Sequence, residues 1–222
     1  YFNNLLKLKK NSKKNIKFIN KNFIIALTSG STGDPKPIVL TQKTKLLRSL
    51  FTKKIYDLNS SSVIIASTPL YHTLAQRLVL MSIIIGGTSV IMSGFSNKKW
   101  FNEVKKNKVT FSMLVSSQLE NLINFDQNIF KKLKSLKTIV ASSSKLHENV
   151  RVKISALKRP NIYEIYGTSE IAAVTNMKIN RNVNKINSVG KSIPIASIKI
   201  IDNKNKFQKK GKIGEIICKT PL

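Results

Sequence analysis

The chain has few acids, cysteines and histidines. Ten Asp and Glu stand against 39 Lys and Arg, with one cysteine and two histidines. The lone thiol, Cys218, excludes an internal disulfide and any metal site built from several thiolates. Within an alternating apolar run it reads as a small core residue, not a nucleophile. Arginine is scarce too, occurring only at Arg48, Arg77, Arg151, Arg159 and Arg181. A formal charge of +29 would suit a phosphate backbone, but the sequence has no arginine cluster and no interleaving of aromatic with basic residues. Lysine is spread along the chain among Asn and Ile. The lysines therefore read as a solvated surface that aids solubility and draws anionic ligands, and specific nucleic-acid binding is the weakest reading. Long apolar runs are missing as well: Leu74 to Met92 is broken by Gln76, Arg77 and Gly86-Gly87, so it fails as a membrane span. No charged-then-apolar leader opens the chain, and a cytoplasmic location is expected. Two familiar phosphate-loop spacings, Gly-x-x-x-x-Gly-Lys-Ser/Thr and Gly-x-Gly-x-x-Gly, are absent.

What is present is ample for a core: 222 residues, 41% of them hydrophobic. Short apolar runs (23–27, 38–40, 63–67, 89–92, 109–114, 138–141 and 161–165) alternate with helical stretches (42–55, 74–85, 96–106, 117–124, 127–133 and 148–157). That alternation predicts an α/β fold, a mostly parallel sheet with covering helices. In the first helix Leu46, Leu47, Leu50 and Phe51 are spaced to cover one face, and Leu74 to Ile85, apolar nearly all round, is expected to be buried. From Ser188 the texture changes. Ile198 to Ile201 and Ile213 to Cys218 predict an antiparallel β segment at the end. The organisation reads as a Lys/Asn-rich lead-in (1–20), an α/β nucleotide-binding core (21–186) and a β-rich segment (187–222). Starting at Tyr1 and stopping just after a strand-like run, the chain reads as a piece of something longer.

The polar loops carry the chemistry. The run Phe23 to Leu27 reads as a buried strand, and Thr28-Ser29-Gly30-Ser31-Thr32-Gly33-Asp34-Pro35-Lys36 reads as the loop leaving its carboxyl end, where α/β sheets bind ligands. Gly30 and Gly33 permit positive φ and close approach to an anion. Ser29, Ser31 and Thr32 add hydroxyl donors, and Lys36 adds a charge. Such a loop can also simply turn the chain. His72 follows the next strand, in Pro69-Leu70-Tyr71-His72-Thr73, and is open to a structural or a ligand-touching role. Ser142-Ser143-Ser144 follows the run 138–141. In Tyr166-Gly167-Thr168-Ser169-Glu170 a hydroxyl and a carboxylate two residues apart could hold a phosphate oxygen and a magnesium ion, or could cap a helix.

Taken in order, these loops resemble the adenylate-forming (AMP-binding) superfamily, which contains acyl-CoA synthetases, luciferases and the adenylation domains of peptide synthetases. The likeness covers Thr28 to Ile216, since Ser188-Val189-Gly190-Lys191 and Gly211-Lys212-Ile213-Gly214-Glu215-Ile216 also match in order. It implies that a carboxylic acid and MgATP give an acyl-adenylate and pyrophosphate, followed by transfer to coenzyme A or a carrier-protein thiol, as in fatty acid metabolism. By the same resemblance Ser29 to Lys36 with Thr28 would hold the β- and γ-phosphates, Thr168 an α-phosphate oxygen and Glu170 the magnesium. Ser142, Ser143 and Ser144 would border adenine and the acyl group, Tyr166 would stack on adenine beside Gly167, and His72 would line or gate the acyl channel. Two departures stand out: Ser142-Ser143-Ser144 replaces the usual Gly-Gly-Ala, and Pro37 replaces a usual glycine. The ribose-binding aspartate, the hinge and the C-terminal domain with its lysine would lie beyond Leu222. The chain therefore reads as a central piece of the large N-terminal domain, with at most weak nucleotide binding and little turnover by itself. A non-catalytic ATP-binding remnant or regulatory module is the alternative.

Overall fold

The computed structural model describes residues 20–28, 36–126, 128–180 and 187–222. Its centre is a seven-stranded sheet. Five strands are parallel: β3 (Val63–Ala66), β4 (Thr88–Ile91), β5 (Phe111–Val115), β6 (Thr138–Ser142) and β7 (Asn161–Thr168). Two more, β8 (Ala172–Lys178) and β9 (Lys191–Ser192), extend it antiparallel beyond β7, giving the order β4-β3-β5-β6-β7-β8-β9. The helices are α1 (Gln42–Tyr56), α2 (Thr73–Ile85), α3 (Asn97–Lys106), α4 (Ser116–Phe125) and α5 (Glu148–Ser155).

Side-chain alternation along the strands builds two cores. Ile65, Leu114 and Ile139 join Trp100, Leu119 and Val150 from α3, α4 and α5 in one cluster. Their neighbours Ile64, Met113 and Val140 join Leu78 and Met81 of α2 in the other. The result is an α/β architecture with its parallel strands buried on both faces, as parallel sheets require. Strand β8 had no counterpart in the sequence reading, where Ala172 to Lys178 carries no apolar alternation strong enough to mark it. The end of the chain forms the expected antiparallel pair, β10 (Ser197–Ile201) with β11 (Glu215–Lys219).

Several expectations are corrected. The Phe23–Leu27 run is strand β1 (Asn22–Thr28), but it pairs with β2 (Lys36–Thr41) in a separate two-stranded ribbon. One side of that ribbon packs through Ala26 and Leu40, while Phe23, Ile25 and Leu27 are exposed. In α1 the buried residues are Lys45, Arg48, Ser49 and Thr52, and Leu50 is exposed. The helix packs on two sides: the polar, basic face lies on α2, while Leu47, Phe51 and Ile55 pack half-buried against Ala172, Ile193 and Leu222. Ile83 and Ile84 of α2 are exposed, so that helix is buried on one side only. The 127–133 stretch holds a single 3-10 turn, Ile129–Lys132, with position 127 outside the described residues. Cys218 is half-buried on a largely exposed strand, not a core residue. The boundary near 186 lies outside the described residues. No helix among the described residues is long and apolar enough to cross a membrane.

A fully buried ion pair ties these layers together. Arg151 of α5 meets Glu164 of β7 with both side chains sealed from solvent. The other Glu164 oxygen accepts from the Leu146 N–H at 3.0 Å, and Arg151 donates to the Ser188 carbonyl at 2.8 Å. Removing one partner leaves an uncompensated buried charge, which costs about 3–5 kcal/mol. Glu164→Ala should lose about that much stability in urea unfolding. The double variant Arg151→Met/Glu164→Leu should lose clearly less than either single change; losses that simply add would show that the pair is not coupled.

Candidate active site

Because β3, β6 and β7 run parallel, the segments leaving their carboxyl ends emerge on one edge of the sheet. There they line an open cleft with Leu27, Thr68, Pro69, His72, Ser142, Ser143, Gly167, Thr168, Ser169 and Glu170 on its walls. Ser29, Gly30, Ser31, Thr32 and Gly33 lie outside the described residues; the strands on either side of them end near this edge. Thr28 pairs with Lys36 across the β1–β2 ribbon, Leu27 borders the cleft, and Lys36 is close enough to act electrostatically on Glu170.

Glu170 is the acid of the cleft. Its carboxylate accepts from the Thr168 hydroxyl and from its own backbone N–H, and these bonds hold its pKa below the usual range, with further help from Arg48 and Lys36. The side chain is exposed, so an ionised, solvent-facing carboxylate stands at the mouth. The stretch is not a helix cap: β7 continues through Thr168, and the turn to β8 follows. Gly167 is required by packing, since a Cβ there would come within 1.7 Å of the Ala172 carbonyl oxygen. Tyr166, at the bulge, is partly exposed.

His72 sits at the amino end of α2, exposed, with Tyr71 beside it at a ring separation of 4.4 Å. Ser142 ends β6, and Ser143 adopts φ 82°, a left-handed conformation that favours glycine. Ser116, buried at the start of α4, holds the strained turn by donating its hydroxyl to the carbonyls of Ser142 and Ser144. Ser144 itself is exposed. Magnesium has one exposed carboxylate available here. Among the described residues no group of three His, Cys, Asp or Glu side chains could cage an ion. That donor set fits a cation that arrives with phosphate and water ligands.

Sequence reasoning missed the basic groups behind the acid. Arg48 reaches from α1 to the turn and donates to the Ser169 carbonyl at 3.0 Å and the Glu170 carbonyl at 2.6 Å. It fixes the backbone that presents the carboxylate. Burial, with Arg77 adding, lowers its pKa to about 10, partly offset by Glu170. Lys45, one turn earlier, donates to Gln76 Oε1 at 3.0 Å. Burial first, then Arg48 and Arg77, lowers it to about 8. Arg77 is also depressed by burial. These are not part of a solvated lysine surface, and only their i, i+3 spacing on α1 hinted at a shared face.

The chain matches the AMP-binding enzyme family over residues 7–222. It is 26% identical over 200 residues to the indoleacetate–CoA ligase of Aromatoleum aromaticum, covering 89% of this chain and 39% of that protein. It is 25% identical over 202 residues to the medium/long-chain-fatty-acid–CoA ligase FadD8 of Mycobacterium tuberculosis, covering 89% of this chain and 35% of that protein. The chain thus spans under two fifths of these relatives' lengths. The structure of O-succinylbenzoate coenzyme A synthetase from Bacillus subtilis with ATP and magnesium superposes with a TM-score of 0.80 at 21% identity, over 89% of this chain and 41% of that one. It shares the fold.

Two measurements check the site's energetics. Ser143→Gly should raise stability by about 1 kcal/mol, because a non-glycine residue at such φ costs on the order of 1–3 kcal/mol; an unchanged or lower urea midpoint would mean that the turn is not strained. Lys45 binds its proton more weakly folded (about 8) than at its ordinary 10.5. Its burial penalty is therefore full below pH 8 and fades as pH climbs toward 10.5, where the unfolded chain holds more protons. Lys45→Met should be more stable than the parent at pH 7, with the difference shrinking by pH 10. A gap independent of pH would rule out this origin.

Proposed function

This chain belongs to the AMP-binding enzyme family, and we propose that it supplies the nucleotide-handling part of an enzyme that activates a carboxylic acid with ATP and passes the acyl group to coenzyme A. The observation that carries this reading is the Thr168–Glu170 pair, hydroxyl bonded to carboxylate, on the wall of a cleft shared with His72, Ser142 and Ser143 and within electrostatic reach of Lys36. The CoA-ligase names of the relatives support the reaction class.

In this reading the substrate carboxylate oxygen bonds to the α-phosphorus of ATP while the bond to the bridging oxygen breaks, and pyrophosphate leaves. The coenzyme A thiolate then bonds to the acyl carbon, and AMP leaves with the electron pair. Both steps gather negative charge on phosphate oxygens, so positioning and neutralisation do most of the work. Thr168 donates to an α-phosphate oxygen once its hydroxyl turns from Glu170. Glu170 is the ligand for magnesium, which when bound offsets phosphate charge and orients the leaving group. Lys36 with Thr28, Ser29, Gly30, Ser31, Thr32 and Gly33 serves the β- and γ-phosphates. Tyr166, Gly167, Ser142, Ser143 and Ser144 border the adenine, and His72 borders the acyl group. Arg48 acts as a positioning residue through the Ser169 and Glu170 carbonyls.

The test is exchange of labelled pyrophosphate into ATP, made dependent on added carboxylic acids in the intact protein. Glu170→Ala should lower exchange by about 10²–10³-fold, and chelation of magnesium should abolish it. Exchange that needs no acid, or a Glu170→Ala variant as active as the parent, would end this assignment.

A further inference from the structure

Between α1 and α2 the fold buries more positive charge than it neutralises. Lys45 and Arg48 are 5% and 3% exposed, and Arg77 of α2 lies close enough to depress both. Their hydrogen-bond partners among the described residues are neutral, one amide oxygen and two backbone carbonyls. Arg77 donates to no described residue, and its Nε is buried without a partner. The acid that offsets the group is Glu170, acting at Arg48, with its own carboxylate turned toward solvent. Lys45 and Arg48 are buried and Arg77 is half-buried; cations held there short of counter-charge cost free energy, and arginine cannot escape by losing its proton.

Arg77 is the member of the cluster that reaches the cleft. Arg77 lines the open cleft together with His72, and it also lines a smaller cavity behind it, walled by Phe51, Ile55, Tyr56 and Met113. Ile165 and Ala172 face both spaces. An acid whose carboxylate reacts near Thr168 therefore sends its far end past the Arg77 guanidinium. A hydrocarbon tail would leave that fork unpaired and desolvated; an anionic tail would meet it in a two-point, charge-assisted contact.

We propose that the acid handled at this site carries a second anionic group, a carboxylate in the simplest case, and that Arg77, backed by Lys45 and Arg48, is its receptor. The inference rests on the acid-activating reading of the same cleft. An anion in this position also offsets the like-charge repulsion that adds to burial in lowering Lys45 and Arg48, so binding and local stability are coupled.

Calorimetry without ATP on the intact protein tests the receptor directly, with short to medium α,ω-diacids each set against the monoacid of equal length. The diacid that fits should bind at least about tenfold more tightly than its monoacid, about 1.4 kcal/mol. Arg77→Met should erase that preference, Arg77→Lys should keep part of it, and circular dichroism establishes that each variant is folded. Lys45→Gln, which leaves the guanidinium in place, should weaken the preference by a smaller factor. Monoacids binding as well as diacids, or a preference untouched by Arg77→Met, overturns the proposal. So does loss of ATP affinity alone in Arg77→Met, which would assign the cluster to the triphosphate. The exchange assay separates the two readings. Diacid binding that depends on Arg77 without any acid-dependent exchange removes acid activation and keeps the receptor. Exchange driven by monoacids with no diacid binding removes the receptor and keeps acid activation.

Discussion

The buried contact between Arg151 and Glu164 decides where the rest of the site stands. Glu164 lies on β7 four residues before Thr168, and its second oxygen is bound by the Leu146 N–H, at the far end of the turn that contains Ser143 and Ser144. Arg151 adds α5 and, through the Ser188 carbonyl, the segment leading to β9. One salt bridge therefore sets the spacing between the serine turn after β6 and the Thr168–Glu170 end of β7. A charged pair sealed from water is a weak source of net stability compared with a well-packed apolar pair. Its value here is in register: a one-residue slip of β7 would point every side chain to the opposite face and expose Glu164 to apolar surroundings.

A second set of charges holds the acid itself. Arg48 donates to the consecutive carbonyls of Ser169 and Glu170, so the carboxylate is presented from a backbone fastened to α1. The same guanidinium, with Lys36, keeps Glu170 ionised alongside the stronger effect of the Thr168 hydroxyl. The arrangement is asymmetric: the acid is exposed and its supporting cations are buried. Negative charge therefore faces the solvent side, where a divalent ion can be met, and positive charge faces inward, where an anion from the substrate can be met.

Much of this was legible in the residues. Strand-helix alternation marked the parallel sheet, because its strands are buried on both faces and read as continuous apolar runs such as Val63 to Ala66. The Ser142, Thr168 and His72 segments were expected on one edge, and they share one cleft. What could not be read were features set by long-range packing. Strand β8 has mixed polarity because Asn176 and Thr175 bond laterally, to Tyr56 and to the Val189 carbonyl. The second packing face of α1 was also hidden: leucines and cations both recur at helical spacing, and only the docking of α2 buries Lys45 and Arg48 while Leu47 and Phe51 meet a separate apolar cluster. Phe23, Ile25 and Leu27 look like core residues in any scale of hydrophobicity, yet a two-stranded ribbon has only one face to bury.

The site's position follows from the way β7 changes partners. On one side it pairs parallel with β6 as far as Glu164; on the other it pairs antiparallel with β8 through Thr168. Its last four residues therefore overshoot the parallel sheet and are held by β8 alone. That overhang needs Gly167, where the Ala172 carbonyl leaves no room for a side chain, and a bulge at Tyr166 that re-aims the strand. A strand end supported on one side only leaves its other side open to a ligand. The hydroxyl and carboxylate it carries are thus presented to the cleft without burying their polar groups, while the parallel strands beneath them are closed on both faces and give the rigidity that the overhang lacks.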